Sequence, residues 1–282
     1  PIYNQSHEEG VDWSKFPLKE MINRGWIAEN GNALKSSAED IIKGFINQLG
    51  WQSGSLSFKR TLSGDAYSPS TQYALYAWVS RVVQQARKKK SSLGIFDPNV
   101  LSASFLRDLA QLSWFEKGPL LAVEFLEKHG IAIIIEPSLK GTRIDGAALK
   151  DIDGQPIIGL SLRYDRLDNF WFTLLHEVAH IWKHVHNEET FLDDLDASSD
   201  DKKESEANRL AREAFIPRAV WKRSDAYISP TKENIDILSR ELKITPAIIA
   251  GRLRRELGNY RLFADLIGQG EVSRILSTAV IE

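Results

Sequence analysis

Three residues in this chain have the types and spacing to do chemistry: His176, Glu177 and His180. They end the run Phe170-Trp171-Phe172-Thr173-Leu174-Leu175-His176-Glu177-Val178-Ala179-His180. On a helix the two histidines stand one turn apart, so their imidazoles leave one face and can share a tetrahedral ion. Glu177 is turned about 100° from His176 around the axis. It can therefore reach a water at that ion without occupying a coordination position. Zinc would lower the pKa of such a water to roughly 7, and a carboxylate can take its proton and return it to a leaving amine. The competing reading is a buried helix whose histidines only pack. Two unpartnered imidazoles in so apolar a helix would be costly, and the metal reading is preferred.

A catalytic zinc usually takes three protein ligands and keeps one position open. The chain has no cysteine, so the third ligand must be a histidine or a carboxylate. His186 completes a metzincin-like spacing, but Lys183 stands where those enzymes need glycine, and no methionine follows Met21 to make their Met-turn. That candidate is set aside. Glu204 shares a helix face with Ala207, Asn208, Ala211 and Phe215, and the small alanines would let its helix approach closely. Glu206 points about 200° away from it, so Glu204 is preferred as the third ligand. Asn208 could hold a ligand histidine by its second nitrogen. His184, Tyr164 and Arg166 are candidates for supporting the site or a developing oxyanion. Zinc is the expected cofactor, one per chain; manganese or iron(II) would suit the same His-His-carboxylate set.

The elements that must position these groups follow from periodicity and punctuation. Helices are expected from Pro17 to Gly25, Ala33 to Leu49, about Ser70 to Lys90, Val100 to Ser113 and Pro119 to His129. Strands are expected at Ile131–Ile135, Gly146–Lys150 and Pro156–Leu162, the last as a sheet edge able to pair with an extended peptide. Further helices are expected at Asp168–His184, Lys202–Phe215, Lys232–Leu242 and Pro246–Leu257. Gly54–Ser70 reads as a loop, and the acidic stretch Asp193–Asp201 as a solvated one. The basic run Arg87-Lys88-Lys89-Lys90 reads as a helix C-terminus favoured by the macrodipole. The fold class is α+β, mostly helical, with a small sheet of about three strands packed on the His-Glu-x-x-His helix. Two domains are expected: a helical connecting domain at 1–92 and a metallopeptidase domain at 93–282.

Composition bounds the rest. The 282 residues are 43% hydrophobic, with 8 Trp and 12 Phe, enough for a substantial core. A net charge of -2 lacks the field of a dedicated nucleic-acid binder. The helix pair around Leu242-Lys243-Ile244-Thr245-Pro246 could pass for a helix-turn-helix but reads as structural, so direct DNA binding is not expected. The polar start at Pro1 has no signal-peptide core, and no run is long and apolar enough to span a bilayer; a cytoplasmic location is expected. A start at proline is read as processing or as part of a longer chain.

The residues Gly159 to His180 closely resemble the ImmA/IrrE family of metallopeptidases, nearest to the branch fused to HigA-type antitoxin regulators. Glu204-x-x-Ala207-Asn208, followed by Leu210-Ala211 and Ile216-Pro217, resembles that family's second motif. Phe16-Pro17-Leu18-Lys19-Glu20-Met21 and Arg24-Gly25-Trp26 look like the connecting region of such regulators, whose N-terminal helix-turn-helix is absent from this chain. The resemblance implies a gluzincin-like site with His176, His180 and Glu204 on zinc and Glu177 as base. It implies cleavage of a specific protein, a helix-turn-helix repressor or toxin–antitoxin partner, in stress, phage or toxin–antitoxin regulation. The alternative is an antitoxin or regulator module that binds protein or DNA while its metal site stays silent.

Overall fold

A computed structural model describes residues 12–27, 37–47, 69–185 and 201–278. The loop expected at Gly54–Ser70 falls almost wholly outside these residues, as do His186 and most of the acidic stretch from Asp193. The architecture is α+β, helical for the most part, around one three-stranded sheet. Strands β1 (Ala132–Ile135), β2 (Gly146–Lys150) and β3 (Pro156–Leu160) lie in the order β1-β3-β2. β1 runs parallel to β3, with Ala132 opposite Ile157, and β2 runs antiparallel to it, with Ala148 opposite Ile158. This corrects the expectation that Pro156–Leu162 forms an edge. β3 is central and fully buried, as its unbroken apolar run requires, and β2 is an edge.

Both faces of the sheet are covered. The helices before it are α1 (Leu18–Asn23), α2 (Ala38–Asn47), α3 (Pro69–Lys89), α4 (Ala103–Gln111) and α5 (Gly118–Lys128). α3 lies on one face, its Trp78, Val79 and Val82 sharing a core with Ala132, Ile134, Leu149 and Ile157. A Cβ on Gly159 would stand 2.8 Å from Trp78 Cη2 and 3.0 Å from Val82 Cγ1, so glycine lets α3 settle onto the central strand. Trp78 is fully buried and donates its indole N–H to the Glu136 carbonyl at 2.8 Å. The basic run ends α3, as expected, and it is also paired with acids. Arg87 grips the buried Asp151 through Nε and Nη2 at 2.6 and 2.5 Å, Lys89 reaches Glu127 at 2.6 Å, and Lys90 pairs with Asp153. Those contacts pin the helix to the end of the sheet.

The other face carries Ile133, Ile158 and Leu160 into a second, larger core. It is completed by α4, α6 (Leu167–His180), α7 (Asp201–Phe215), α10 (Lys232–Leu242), α11 (Pro246–Glu256) and α12 (Glu271–Thr278), with the short helices α8 (Arg218–Arg223) and α9 (Asp225–Ile228) between α7 and α10. The helices α8, α9 and α12 are elements that periodicity did not announce, the first two being too short to show a repeat. α6 ends at His180 rather than His184, and the chain continues as one π-helical turn, Ile181–Val185. Among the described residues no helix is long and apolar enough to cross a membrane.

Candidate metal centre

Helix α6 is held by its own hydrophobicity. Phe170, Trp171, Leu174, Leu175 and Val178 are all essentially buried, and they anchor the helix between the sheet and its neighbours. That packing leaves His176 and His180 on one flank. Their Nε2 atoms lie 3.0 Å apart. α7 runs alongside, with Ala207 and Ala211 fully buried, and without bulky side chains there the helices close up. Glu204, in the first turn of α7, then lands on the histidine pair. Its Oε2 is 3.2 Å from His176 Nε2 and its Oε1 is 3.0 Å from His180 Nε2.

Three donor atoms from two helices thus converge, each within 4.8 Å of the others. Ligands at zinc bond lengths sit about 3.3 Å from one another in a tetrahedron, so the cluster is already close to the size of a coordination face. Hydrogen bonding alone accounts for it poorly. If both Nε2 atoms donated to the carboxylate, two N–H groups would face each other across 3.0 Å. Lone pairs aimed at one cation remove that conflict. The remaining nitrogen of His176, Nδ1, is buried and has no hydrogen-bond partner. Asn208 therefore does not hold that ring; its carbonyl accepts from Arg212 Nε at 2.9 Å. The donor set fits a His-His-carboxylate metal site.

The electrostatics agree with the geometry. The two imidazoles hold the Glu204 carboxyl far below the usual carboxylate range. Glu177 is 7% exposed. Burial pushes its carboxyl up, the neighbouring imidazoles pull it down, Glu204 pushes it up, and the Ala148 backbone N–H pulls it down. A carboxylate so placed is a better proton acceptor than one in water.

The other sequence-level candidates lie outside the cluster. Glu206 is partly exposed, 3.4 Å from Arg209 and 3.8 Å from His184 Nε2. His184 is buried in the π-helical turn, its ring 5.3 Å from that of His180. Tyr164 is 42% exposed, flanked by the guanidiniums of Arg163 and Arg166 at 4.9 and 5.3 Å. Arg166 binds Asp168 at 2.9 Å. Tyr164 and Arg166 line a cavity of about 630 Å³ whose wall includes none of the three cluster residues.

Two residues of the edge strand were missed by sequence reasoning. A Cβ on Gly146 would stand 3.0 Å from Glu177 Oε1 and 2.7 Å from Thr173 Cγ2. The strand can lie against Glu177 only because position 146 has no side chain. Ala148 contributes its backbone N–H to the same carboxylate. The only available signal was a glycine opening a strand, which is equally a turn marker.

Residues 126–254 match a peptidase family model described as the IrrE N-terminal-like domain. Neither the curated proteins nor the solved structures yield a match. The matched stretch includes all three strands and the helices that carry the histidine pair and Glu204. Residues 126–254 are therefore an IrrE N-terminal-like domain, of the ImmA/IrrE metallopeptidase family.

Proposed function

We propose that the protein is a zinc-dependent endopeptidase in which His176, His180 and Glu204 hold the ion and Glu177 is the general base. The convergence of two Nε2 atoms and one carboxylate within 3.0 to 3.2 Å carries this reading. When bound, zinc would supply a Lewis acid that polarises the scissile carbonyl and acidifies the attacking water. Glu177, buried beside the site, takes the proton from that water and passes it to the departing amine nitrogen. Gly146 keeps the edge strand close enough for Ala148 to orient the Glu177 carboxylate through its N–H. Among the described residues β2 pairs with β3 on one side only, and an extended substrate segment is proposed to add along its other side. His184, behind His180, is assigned to supporting the ligand pair.

The substrate is proposed to be one specific protein, a helix-turn-helix repressor or toxin–antitoxin partner, within a cytoplasmic regulatory circuit. This part rests on the family resemblance. Glu177→Gln tests the chemistry. The variant should bind zinc as the parent does yet lose cleavage of the partner protein by at least about 100-fold, the usual weight of a general base. Full complementation by Glu177→Gln in cells would mean that the chain works by binding alone.

A further inference from the structure

The 630 Å³ cavity is bounded by α6, α7 and α11 and by Tyr164 and Tyr260, and the peptidase reading does not use it. Its size is that of a small-molecule site. Its charge is unusual for a chain of net charge -2. Arg166, Arg212, Arg252, Arg254 and Arg255 all line it, and Asp168 is the acid among the lining residues.

Close packing explains how the arginines meet. A Cβ on Gly251 would stand 2.6 Å from Asp168 Cβ, so glycine brings α11 against the first turn of α6. Asp168 is already engaged by Arg166 at 2.9 Å. Arg252 is held by Glu256 at 2.9 Å and by the Ile216 carbonyl at 3.1 Å. Arg212 has only the Asn208 carbonyl, and Arg255 makes no ion pair among the described residues. Arg254 is 5% exposed; its Nε donates to the Tyr260 carbonyl at 3.1 Å, and its Nη1 is buried without a hydrogen-bond partner, 3.9 Å from Asp168 Oδ2. Arg212, exposed overall but partly desolvated, is pushed below the ordinary guanidinium value by that desolvation and then by Arg255 and Arg252, with Glu256 opposing. Among the described residues the fold thus gathers five guanidiniums around the cavity, with Asp168 and Glu256 as the acids that engage them.

Apart from Asn169, the remaining wall is apolar and aromatic. Phe172, Phe215, Ile248, Tyr164 and Tyr260 contribute to it, and the Arg255 guanidinium lies over the Phe172 ring at 5.5 Å. Guanidiniums bind phosphate in a bidentate fork and stack on flat rings. We propose that this cavity binds a small phosphorylated molecule carrying a flat ring, with Arg212, Arg254 and Arg255 on the phosphate and the aromatic wall on the ring. Phe172 also lies against His176, ring centroids 6.1 Å apart, so the ligand would sit one helical turn from the metal centre.

The test uses calorimetric titration of the full chain with AMP, adenosine and a short DNA duplex, with zinc present and after chelation. AMP should saturate a single site, and adenosine at the same concentrations should not. Arg212→Gln and Arg255→Gln, both at exposed positions, should each weaken AMP by tenfold or more with zinc content unchanged. Arg254→Gln should do the same if it folds. Absence of saturable AMP binding, AMP binding indifferent to both exposed variants, or binding of the duplex alone would overturn the proposal. None of these readouts depends on peptidase activity.

Discussion

Gly146 and Glu177 are in direct apposition: a methyl group at position 146 would fall 3.0 Å from the Glu177 carboxylate oxygen and 3.1 Å from its Cγ. The edge strand and the helix bearing the histidine pair meet closely at this point, and a side chain at 146 would require Thr173, 2.7 Å away, and Glu177 to shift. Gly146→Ala should therefore displace Glu177 or push β2 outward. Overpacking of this kind costs about 1–3 kcal/mol, to be read by chemical denaturation. Zinc should still bind, because neither histidine nor Glu204 is touched, while cleavage of the partner protein should fall by at least tenfold. A parental cleavage rate would show that Glu177 tolerates the shift and is not positioned by the strand.

Glu204 and Glu206 separate cleanly by geometry. Glu204→Ala removes a carboxylate whose two oxygens lie 3.2 Å from His176 Nε2 and 3.0 Å from His180 Nε2, and should weaken zinc by at least about 100-fold, beyond the usual effect of an outer-sphere residue. Glu206→Ala removes a partly exposed group and should change affinity by no more than a surface charge does, well under about 1 kcal/mol. Competition titration against a chromogenic chelator reads both. Equal losses in the two variants would contradict the assignment.

Arg87 and Asp151 form a largely buried ion pair between α3 and the end of the sheet. Asp151 is 4% exposed and accepts from Arg87 twice and from the Ile152 N–H at 2.7 Å. Arg87→Met strands a buried carboxylate and should destabilise the protein by about 3–5 kcal/mol, whereas adding Asp151→Leu should restore much of the loss. Urea denaturation of the two variants decides. A single variant as stable as the parent would mean that α3 does not depend on the pair.

Lys243 closes α10 in the left-handed region, with φ of 53°. A side chain there costs about 1 kcal/mol that glycine does not. Lys243→Gly should raise the melting temperature by about 2–4 °C for a chain of this size, measured by calorimetry. A lower melting temperature would place the Lys243 side chain among the stabilising contacts.

Much of the centre was legible because local rules govern it. The spacing of His176 and His180 sets a common helix face, and Ala207 and Ala211 announced that the Glu204 helix could come close. Helix spans and strand positions were mostly found for the same reason, since apolar period and Gly or Pro stops are local. What was misread depended on neighbours. Pro156–Leu162 has the same apolar residues whether it lies at an edge or in the centre, and only pairing with β1 and β2 on either side decides. The Arg87–Lys90 run reads correctly as a basic helix end; only its partners Asp151, Glu127 and Asp153, far off in the chain, were out of reach. α8 and α9 are too short for a period to register.

The sequence by itself determined the donor types, their helical spacing and the absence of any thiolate ligand, because one turn of helix is fixed geometry and composition is absolute. The sequence also favoured Glu204 over Glu206, and the fold brings Glu204 to the histidines; the tertiary structure alone decided that Gly146 lies against Glu177 and that five arginines line one cavity. Each of these depends on how closely two helices, or a helix and a strand, approach. That distance is set by side-chain volumes far apart in the chain and packed together only in the folded core.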